Sequence, residues 1–354
     1  MARGLLVAAV LMFGGWALIT SLDAPAGLAQ EASRTIAARE IPVPAGASRE
    51  LRDAIAAPPP TFGPTSVPST VAEWEELQRQ FDGAAAGTLE PLAAAYNVSV
   101  DRFEIEGVPT FRLTPDTVHP RHENHRFVYV HGGAYVFGGG EAGVTEAVVI
   151  AGRARIEVLA FDYRMPPAHP FPAAVEDAVA VYRHVLANRP AGSIALGGGS
   201  AGGGLTLATV HRLIELGVEV PGAIYIGTPW ADLTDTSDTL HTNEGVDRIL
   251  PSYDGLVSAA ARLYAGDHEL THPLISPIYR DFDGFPPAYL VSGTRDLLLS
   301  DTVRVHRKLR EAGVVADLNV YEGMSHGGYL LVADSPESEQ MYAELSAFLL
   351  EHLE

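Results

Sequence analysis

No cysteine occurs among the 354 residues. That excludes disulfides, thiol nucleophiles and cysteine-ligated metals, and it suits an oxidising compartment without requiring one. Lysine is nearly as scarce. Lys308 is the only one, and no serine precedes it at the S-x-x-K spacing, so a lysine-assisted serine hydrolase mechanism is excluded. The 24 basic side chains are outnumbered by 44 acidic ones, and a net charge of −20 argues against nucleic acid and anionic membrane surfaces as partners. Beyond the N-terminus no apolar run is long enough to span a bilayer. The run that exists, Gly4 to Ile19, follows the basic start Met1-Ala2-Arg3 and precedes Gly27-Leu28-Ala29, with small residues at −3 and −1. This is the layout of a signal peptide over 1–29, cleaved before Gln30. It predicts a periplasmic or secreted protein with no membrane association after cleavage; the alternative is anchoring by an uncleaved segment.

Glycine, by contrast, is plentiful, with 35 residues. Five of them surround one serine in Gly197-Gly198-Gly199-Ser200-Ala201-Gly202-Gly203. The core of this run is G-x-S-x-G, placed between the apolar stretch Ile194–Leu196 and a helical pattern from Leu205 to Leu216 that Gly217 can end. Strand, sharp turn and helix in that order present a serine hydroxyl clear of the backbone. The same stretch also satisfies G-x-G-x-x-G. That fingerprint wants an acid at the end of the next strand, and Gly222–Gly227 ends in Thr228-Pro229-Trp230. A dinucleotide is therefore not expected.

An activated serine needs oxyanion donors, a base and an acid. The apolar strand Phe127–Val130 runs into His131-Gly132-Gly133-Ala134, where bare backbone N–H groups can face a developing oxyanion; Ala201 N–H supplies another. His131 itself reads as holding the turn. His326, in the glycine-rich turn after Val320-Tyr321, is the candidate base. Asp296, after the strand Ala288–Ser292, is the candidate acid, with Asp301 as the fallback. The order Ser200, Asp296, His326 is that of α/β-hydrolases.

Further segments match the same family: Asp162-Tyr163-Arg164 and His169-Pro170-Phe171-Pro172-Ala173-Ala174, together with His131-Gly132-Gly133 and the Gly198–Gly202 elbow. The chain thus resembles the hormone-sensitive-lipase-like branch of the α/β-hydrolases, bacterial carboxylesterases and lipases, over roughly 34–354. The resemblance implies a mostly parallel eight-stranded sheet flanked by helices under a helical cap. It also implies hydrolysis of short- to medium-chain acyl esters without a cofactor, by a Ser200, Asp296, His326 triad. The oxyanion hole would be built from Gly132, Gly133, Ala134 and Ala201. Three positions depart from the family pattern: Ala134 where a third glycine is usual, Gly199 where aspartate or threonine is common, and Met165-Pro166-Pro167-Ala168 in place of Leu-Ala-Pro-Glu.

The expected organisation is a signal peptide (1–29), an N-terminal linker with cap helices (30–104), a first core part (105–230), a cap segment (231–273) and a second core part (274–354). Helices are expected at Val71–Phe81, Leu89–Tyr96, Tyr253–Tyr264 and Glu337–Leu353, and a hairpin at Phe103–Leu113. Prolines at 58–60, 64 and 68 read as a linker. Tyr135, Phe137, Trp230 and Tyr253 are candidates to line the substrate pocket. His119, His122 and His125 read as a solvated loop, and no metal site is expected. The partner is a small-molecule ester, and a homodimer is left open. Lactonase or amidase chemistry on the same triad, and a non-catalytic ligand-binding protein on this scaffold, are the alternatives.

Overall fold

The computed structural model describes residues 36–38, 40–58 and 67–354. The expected signal peptide and most of the proline linker lie outside the described residues. The chain divides at Pro42 into two units. In the first, residues 36–38 and 40–42 carry neither helix nor strand. Among the described residues no helix is long and apolar enough to cross a membrane.

The second unit, Val43–Glu354, holds eleven helices and eight strands among its described residues. In chain order these are α1 Arg49–Ala56, α2 Val71–Ala84, α3 Leu89–Ala95, β1 Val98–Ile105, β2 Val108–Pro115, β3 Arg126–Val130, α4 Thr145–Ala154, β4 Val158–Phe161, α5 Ala173–Leu186, β5 Ile194–Gly199, α6 Ala201–Glu215, β6 Ala223–Gly227, α7 Thr239–Thr242, α8 Leu256–Ala265, β7 Ala288–Gly293, α9 Leu299–Glu311, β8 Ala316–Tyr321, α10 Gly328–Leu331 and α11 Pro336–His352.

Local chemistry explains several boundaries. Thr70 and Glu73 form a reciprocal capping box that starts α2. Ser335 caps α11 ahead of Pro336, which needs no N–H partner in the first turn. The β1–β2 hairpin closes over Glu106 and Gly107, at φ 52° and 82°, between the paired residues Ile105 and Val108. Two left-handed residues are what a two-residue hairpin turn of the right twist requires.

The strands form one sheet in the order β1-β2-β4-β3-β5-β6-β7-β8. β2 is antiparallel to both its neighbours, and all pairs from β4 to β8 are parallel. Alternation along the central strands sends side chains to two cores. Val128, Val130, Leu196, Ile224, Ile226 and Leu290 pack with α5, α6 and α9 on one face. Phe127, Tyr129, Ala195, Tyr225, Tyr289 and Val291 pack with α4 and α11 on the other. A parallel sheet must be covered on both faces, which is why these strands read as unbroken apolar runs.

The differences from expectation have local causes. β5 continues through Gly197 to Gly199, because these glycines still pair with Tyr225 to Gly227 of β6. The helix after the elbow begins at Ala201, directly after the serine. α1 is not among the expected helices; it is only eight residues long, and Leu51 is its one buried residue. The histidine tract is not a solvated loop. His122 and His125 are buried with their Nδ1 atoms 2.8 Å apart, and burial pushes His122 down to about 4, so it is neutral near pH 7.

Candidate active site

The elbow is built by close approach. β5 stops at Gly199, Ser200 takes φ 58° and ψ −125°, and α6 starts at the next residue. A non-glycine residue in that region stores about 1–3 kcal/mol of strain, which the surroundings must hold in place. They do so through three backbone bonds. Ser200 N–H donates to Gly227 C=O at 2.7 Å, and its own carbonyl accepts from Trp230 N–H at 3.0 Å and Gly204 N–H at 3.2 Å. A Cβ on Gly198 would stand 1.8 Å from Val130 O, and one on Gly202 2.0 Å from the same oxygen. The glycines on either side of the serine are thus required by the end of β3.

Three strand ends bring the polar groups together. Ser200 Oγ lies 2.9 Å from His326 Nε2, and His326 Nδ1 lies 3.0 Å from Asp296 Oδ1. Asp296 is fully buried just beyond β7, and its carboxylate is fixed by two more donors, the Leu298 N–H at 2.9 Å and the Ser292 hydroxyl at 2.7 Å. Asp301, the fallback, is committed elsewhere: it accepts from Ala231 N–H, Asp232 N–H and the Ser237 hydroxyl, and burial pushes it up to about 7.

Sequence reasoning missed Asp247. Its Oδ2 accepts from Leu297 N–H at 2.7 Å and from His326 N–H at 3.1 Å, tying the loop of the acid to the loop of the base. Its Oδ1 accepts from Ile249 and Leu250 N–H. Burial, and then the charge of Asp296, raise its pKa. Burial by itself would lower the pKa of His326. The charge and hydrogen bond of Asp296, with the charge of Asp247, outweigh that and raise it above 6.5. No local motif marks Asp247, because its partners are backbone groups 50 and 79 residues away.

The loop after β3 turns through Gly133, Ala134 and Tyr135 at φ 105°, 54° and 62°. Gly133 C=O accepts from both Val136 N–H and Phe137 N–H, closing the turn. The N–H groups of Gly132, Gly133 and Ala134 have no acceptor among the described residues and so remain available to a ligand. Ala134 therefore keeps the donor that a glycine would offer, at a left-handed angle that costs about 1–2 kcal/mol. α2 braces this loop: Asp82 accepts from Gly138 N–H at 2.8 Å, and Gln78 donates to Val136 C=O at 2.7 Å. His131 stacks on Tyr163 with centroids 4.0 Å apart and reaches Gly132 O from Nδ1, so it holds the turn.

Two cavities meet at Ser200. One of about 320 Å³ is apolar, with walls that include Leu77, Phe137, Trp230, Leu250, Leu256 and His326. The other, of about 200 Å³, is bounded by glycines of the loop after β3, Gly199, Tyr129, Glu146 and Tyr329. Of the four candidate pocket residues, Phe137 and Trp230 line the apolar cavity. Tyr135 and Tyr253 do not, and this corrects the expectation. Tyr135 is stacked on Tyr264 with its hydroxyl on Trp230 O, and the Tyr253 hydroxyl donates to Leu233 O at 2.6 Å. Glu146 accepts from Tyr129 at 2.8 Å and Tyr225 at 2.6 Å; burial raises its pKa and these two bonds oppose the rise. Among the described residues no group of three His, Asp or Glu is placed to hold a metal.

Comparison with known proteins places this geometry. A family model described as alpha/beta hydrolase fold matches residues 127–330. An acetyl-hydrolase of Streptomyces hygroscopicus is 33% identical over 271 residues, 74% of this chain and 90% of that protein. An esterase of Acinetobacter venetianus is 30% identical over 222 residues, 62% of this chain and 73% of that protein. Among solved structures, the esterase E25 superposes with a TM-score of 0.88 at 48% identity, covering 91% of this chain and 99% of that one. An esterase of the bacterial hormone-sensitive lipase family superposes at 0.74 with 32% identity, covering 87% and 99%.

Proposed function

Since the chain belongs to the α/β-hydrolase family, in its hormone-sensitive-lipase-like branch, and is a carboxylesterase, we propose that it cleaves short- to medium-chain acyl esters with Ser200 as nucleophile, His326 as base and Asp296 as orienting acid. The observation that carries this reading is the unbroken relay of 2.9 Å and 3.0 Å from Ser200 to Asp296 at the floor of an apolar cavity.

Ser200 Oγ attacks the ester carbonyl carbon while its proton passes to His326 Nε2. The carbonyl oxygen becomes an oxyanion on the N–H groups of Gly133, Ala134 and Ala201, with Gly132 shaping the loop; each donor is worth about 10²–10³ in rate. A Cβ on Gly132 would stand 2.9 Å from Gly199 O and 3.2 Å from Ser200 Cβ, so glycine there keeps the loop close to the nucleophile. The intermediate collapses, and His326 returns the proton to the leaving alkoxide. Water then attacks the acyl-enzyme, giving its proton to His326, which returns it to Ser200 Oγ as the acyl carbon–Oγ bond breaks and the acid departs. Asp296 fixes the imidazole tautomer and stabilises the imidazolium.

The cap is formed by helix α2, within 30–104, and by the segment 231–273. Leu77 and Phe81 from the first, with Ile249, Leu250, Leu256 and Val257 from the second, wall the apolar cavity and support this assignment. The N-terminal 29 residues direct export to the periplasm or medium; a mature N-terminus at Gln30 is the expected finding by N-terminal sequencing, and retention of Met1 or Ala2 would overturn it.

The activity test is hydrolysis of p-nitrophenyl esters from C2 to C12 by the mature protein and by Ser200→Ala. Turnover of short chains that falls roughly 10⁵-fold or more in the variant is expected. Turnover that survives in Ser200→Ala, or a folded protein inert on every ester, overturns the reading.

A further inference from the structure

The smaller cavity beside Ser200 has a floor of unusual chemistry. Glu146 is 4% exposed and accepts from two tyrosine hydroxyls, and no ion pair among the described residues includes it. A buried carboxylate without a cation is expensive to keep, and a neutral amide could tie the same tyrosines together. Each carboxylate oxygen takes one tyrosine bond and keeps a lone pair for another donor.

The space in front of that lone pair exists because residue 199 has no side chain. An atom at the Cβ position of Gly199 would stand 2.9 Å from Glu146 Oε2 and 3.1 Å from the Tyr329 hydroxyl oxygen. Those are hydrogen-bond distances for a hydroxyl. Gly199 also adjoins the nucleophile and lines the cavity that Ser200 opens on. Any side chain at this position would occupy the space.

The direction of the reaction says which part of the ester goes there. The leaving oxygen must face His326 Nε2, which protonates it. His326 lines the larger cavity and not the smaller one. With the oxyanion on the Gly133 side, the acyl substituent is directed away from His326, toward Gly199 and Glu146. We propose that the smaller cavity is an acyl subsite for a short acyl group bearing a hydroxyl, which donates to Glu146 Oε2 in the place vacated at Gly199, while the larger apolar cavity takes the alcohol part. This assignment rests on Ser200 being the nucleophile.

The test compares kcat/KM for phenyl hydroxyacetate and phenyl acetate, normalised to the ratio of their hydroxide-catalysed rates. It is run on the wild-type protein, Gly199→Thr, Gly199→Ala and Glu146→Gln, with competent sites counted by phosphonate titration. Ethyl acetate and 2-hydroxyethyl acetate form a second pair, with the hydroxyl on the alcohol. The wild-type protein should favour hydroxyacetate. Glu146→Gln and the Gly199 variants that titrate should each lower that preference roughly threefold to tenfold, as loss of a buried hydrogen bond does. A normalised ratio that is the same in wild type and variants, or a preference confined to the 2-hydroxyethyl ester, overturns the proposal. A wild-type protein inert on phenyl acetate would instead point to failure of the Ser200 assignment, which the C2–C12 series detects separately.

Discussion

The floor and the roof of this active site are built by opposite strategies. The floor is short in sequence and crowded in space. At Gly198 and at Gly202 the backbone lies so close to Val130 that a single added carbon would sit 1.8–2.0 Å from its oxygen. The roof is long in sequence and loose in space. Leu77, Leu250, Leu256 and Leu331 come from segments spread over most of the chain, and they line a cavity of about 320 Å³. In the proposed mechanism the floor has to hold a strained serine, an oxyanion loop and a base within hydrogen-bond reach. The roof has only to exclude water and accept an apolar group. Precision of position is therefore expected to matter below Ser200, and volume above it.

The sharpest break falls on the floor. Asp296→Asn should leave the fold intact and lower kcat by about 10⁴, because an amide favours the wrong imidazole tautomer. Steady-state kinetics with circular dichroism on the same sample checks this; a loss below tenfold would mean that Asp296 is not the orienting acid. Gly198→Ala should act on stability instead. Its methyl meets a backbone oxygen that cannot rotate away, so a destabilisation of about 3 kcal/mol or more is expected, read as a lower urea midpoint at unchanged slope. An unchanged midpoint would show that β3 and β5 can separate and that the floor is softer than its contacts imply.

The same contrast governs what could be read before the structure was known. The elbow, the glycines after β3 and the order Ser200, Asp296, His326 were legible because each is a local pattern with a local reason. The parallel strands were legible because burial on both faces leaves runs such as Phe127–Val130 with no polar interruption. What stayed hidden depends on distant partners. Asp247 looks like any loop aspartate until Leu297 and His326 arrive beside it. Glu146 looks like an acid in the first turn of a helix, yet it sits beneath Gly199 with Tyr129 and Tyr225. Tyr135 and Tyr253 are aromatic and near the site in sequence. Their hydroxyls are turned to backbone carbonyls, which only packing decides.

Asp247→Asn tests whether the long-range tie belongs functionally to the floor. The variant removes a negative charge near His326 while keeping a side chain that can still accept one N–H. A carboxylate there supports the imidazolium, so its loss should lower the His326 pKa and move the acidic limb of kcat/KM to lower pH. With His326 as the proposed base its neutral form is the active one; the wild-type limb should accordingly lie above pH 6.5 and the variant's below the wild-type's. Looser coupling of the two loops should also lower kcat roughly tenfold. A loss of kcat with an unmoved limb would make Asp247 a brace without electrostatic influence.

The smallest effect is expected on the roof, and it is informative for that reason. Leu250 is half-buried, packs at the margin of the main core and faces the apolar cavity. Its truncation removes less than the roughly 2 kcal/mol that a fully buried leucine contributes, so the fold should tolerate Leu250→Ala with a stability change of about 1 kcal/mol or less. The triad distances do not depend on its side chain, since Asp247 Oδ1 accepts from the Leu250 backbone N–H. kcat on a small ester such as phenyl acetate should then stay within about threefold of wild type, while the wider cavity shifts kcat/KM toward bulkier apolar alcohols by a similar factor. A series of acetates with phenyl, naphthyl and longer alkyl alcohols measures both. If Leu250→Ala instead lowers kcat on every ester alike, the roof is positioning the chemistry as the floor does, and the division between the two regions fails at the one residue where Asp247 joins them.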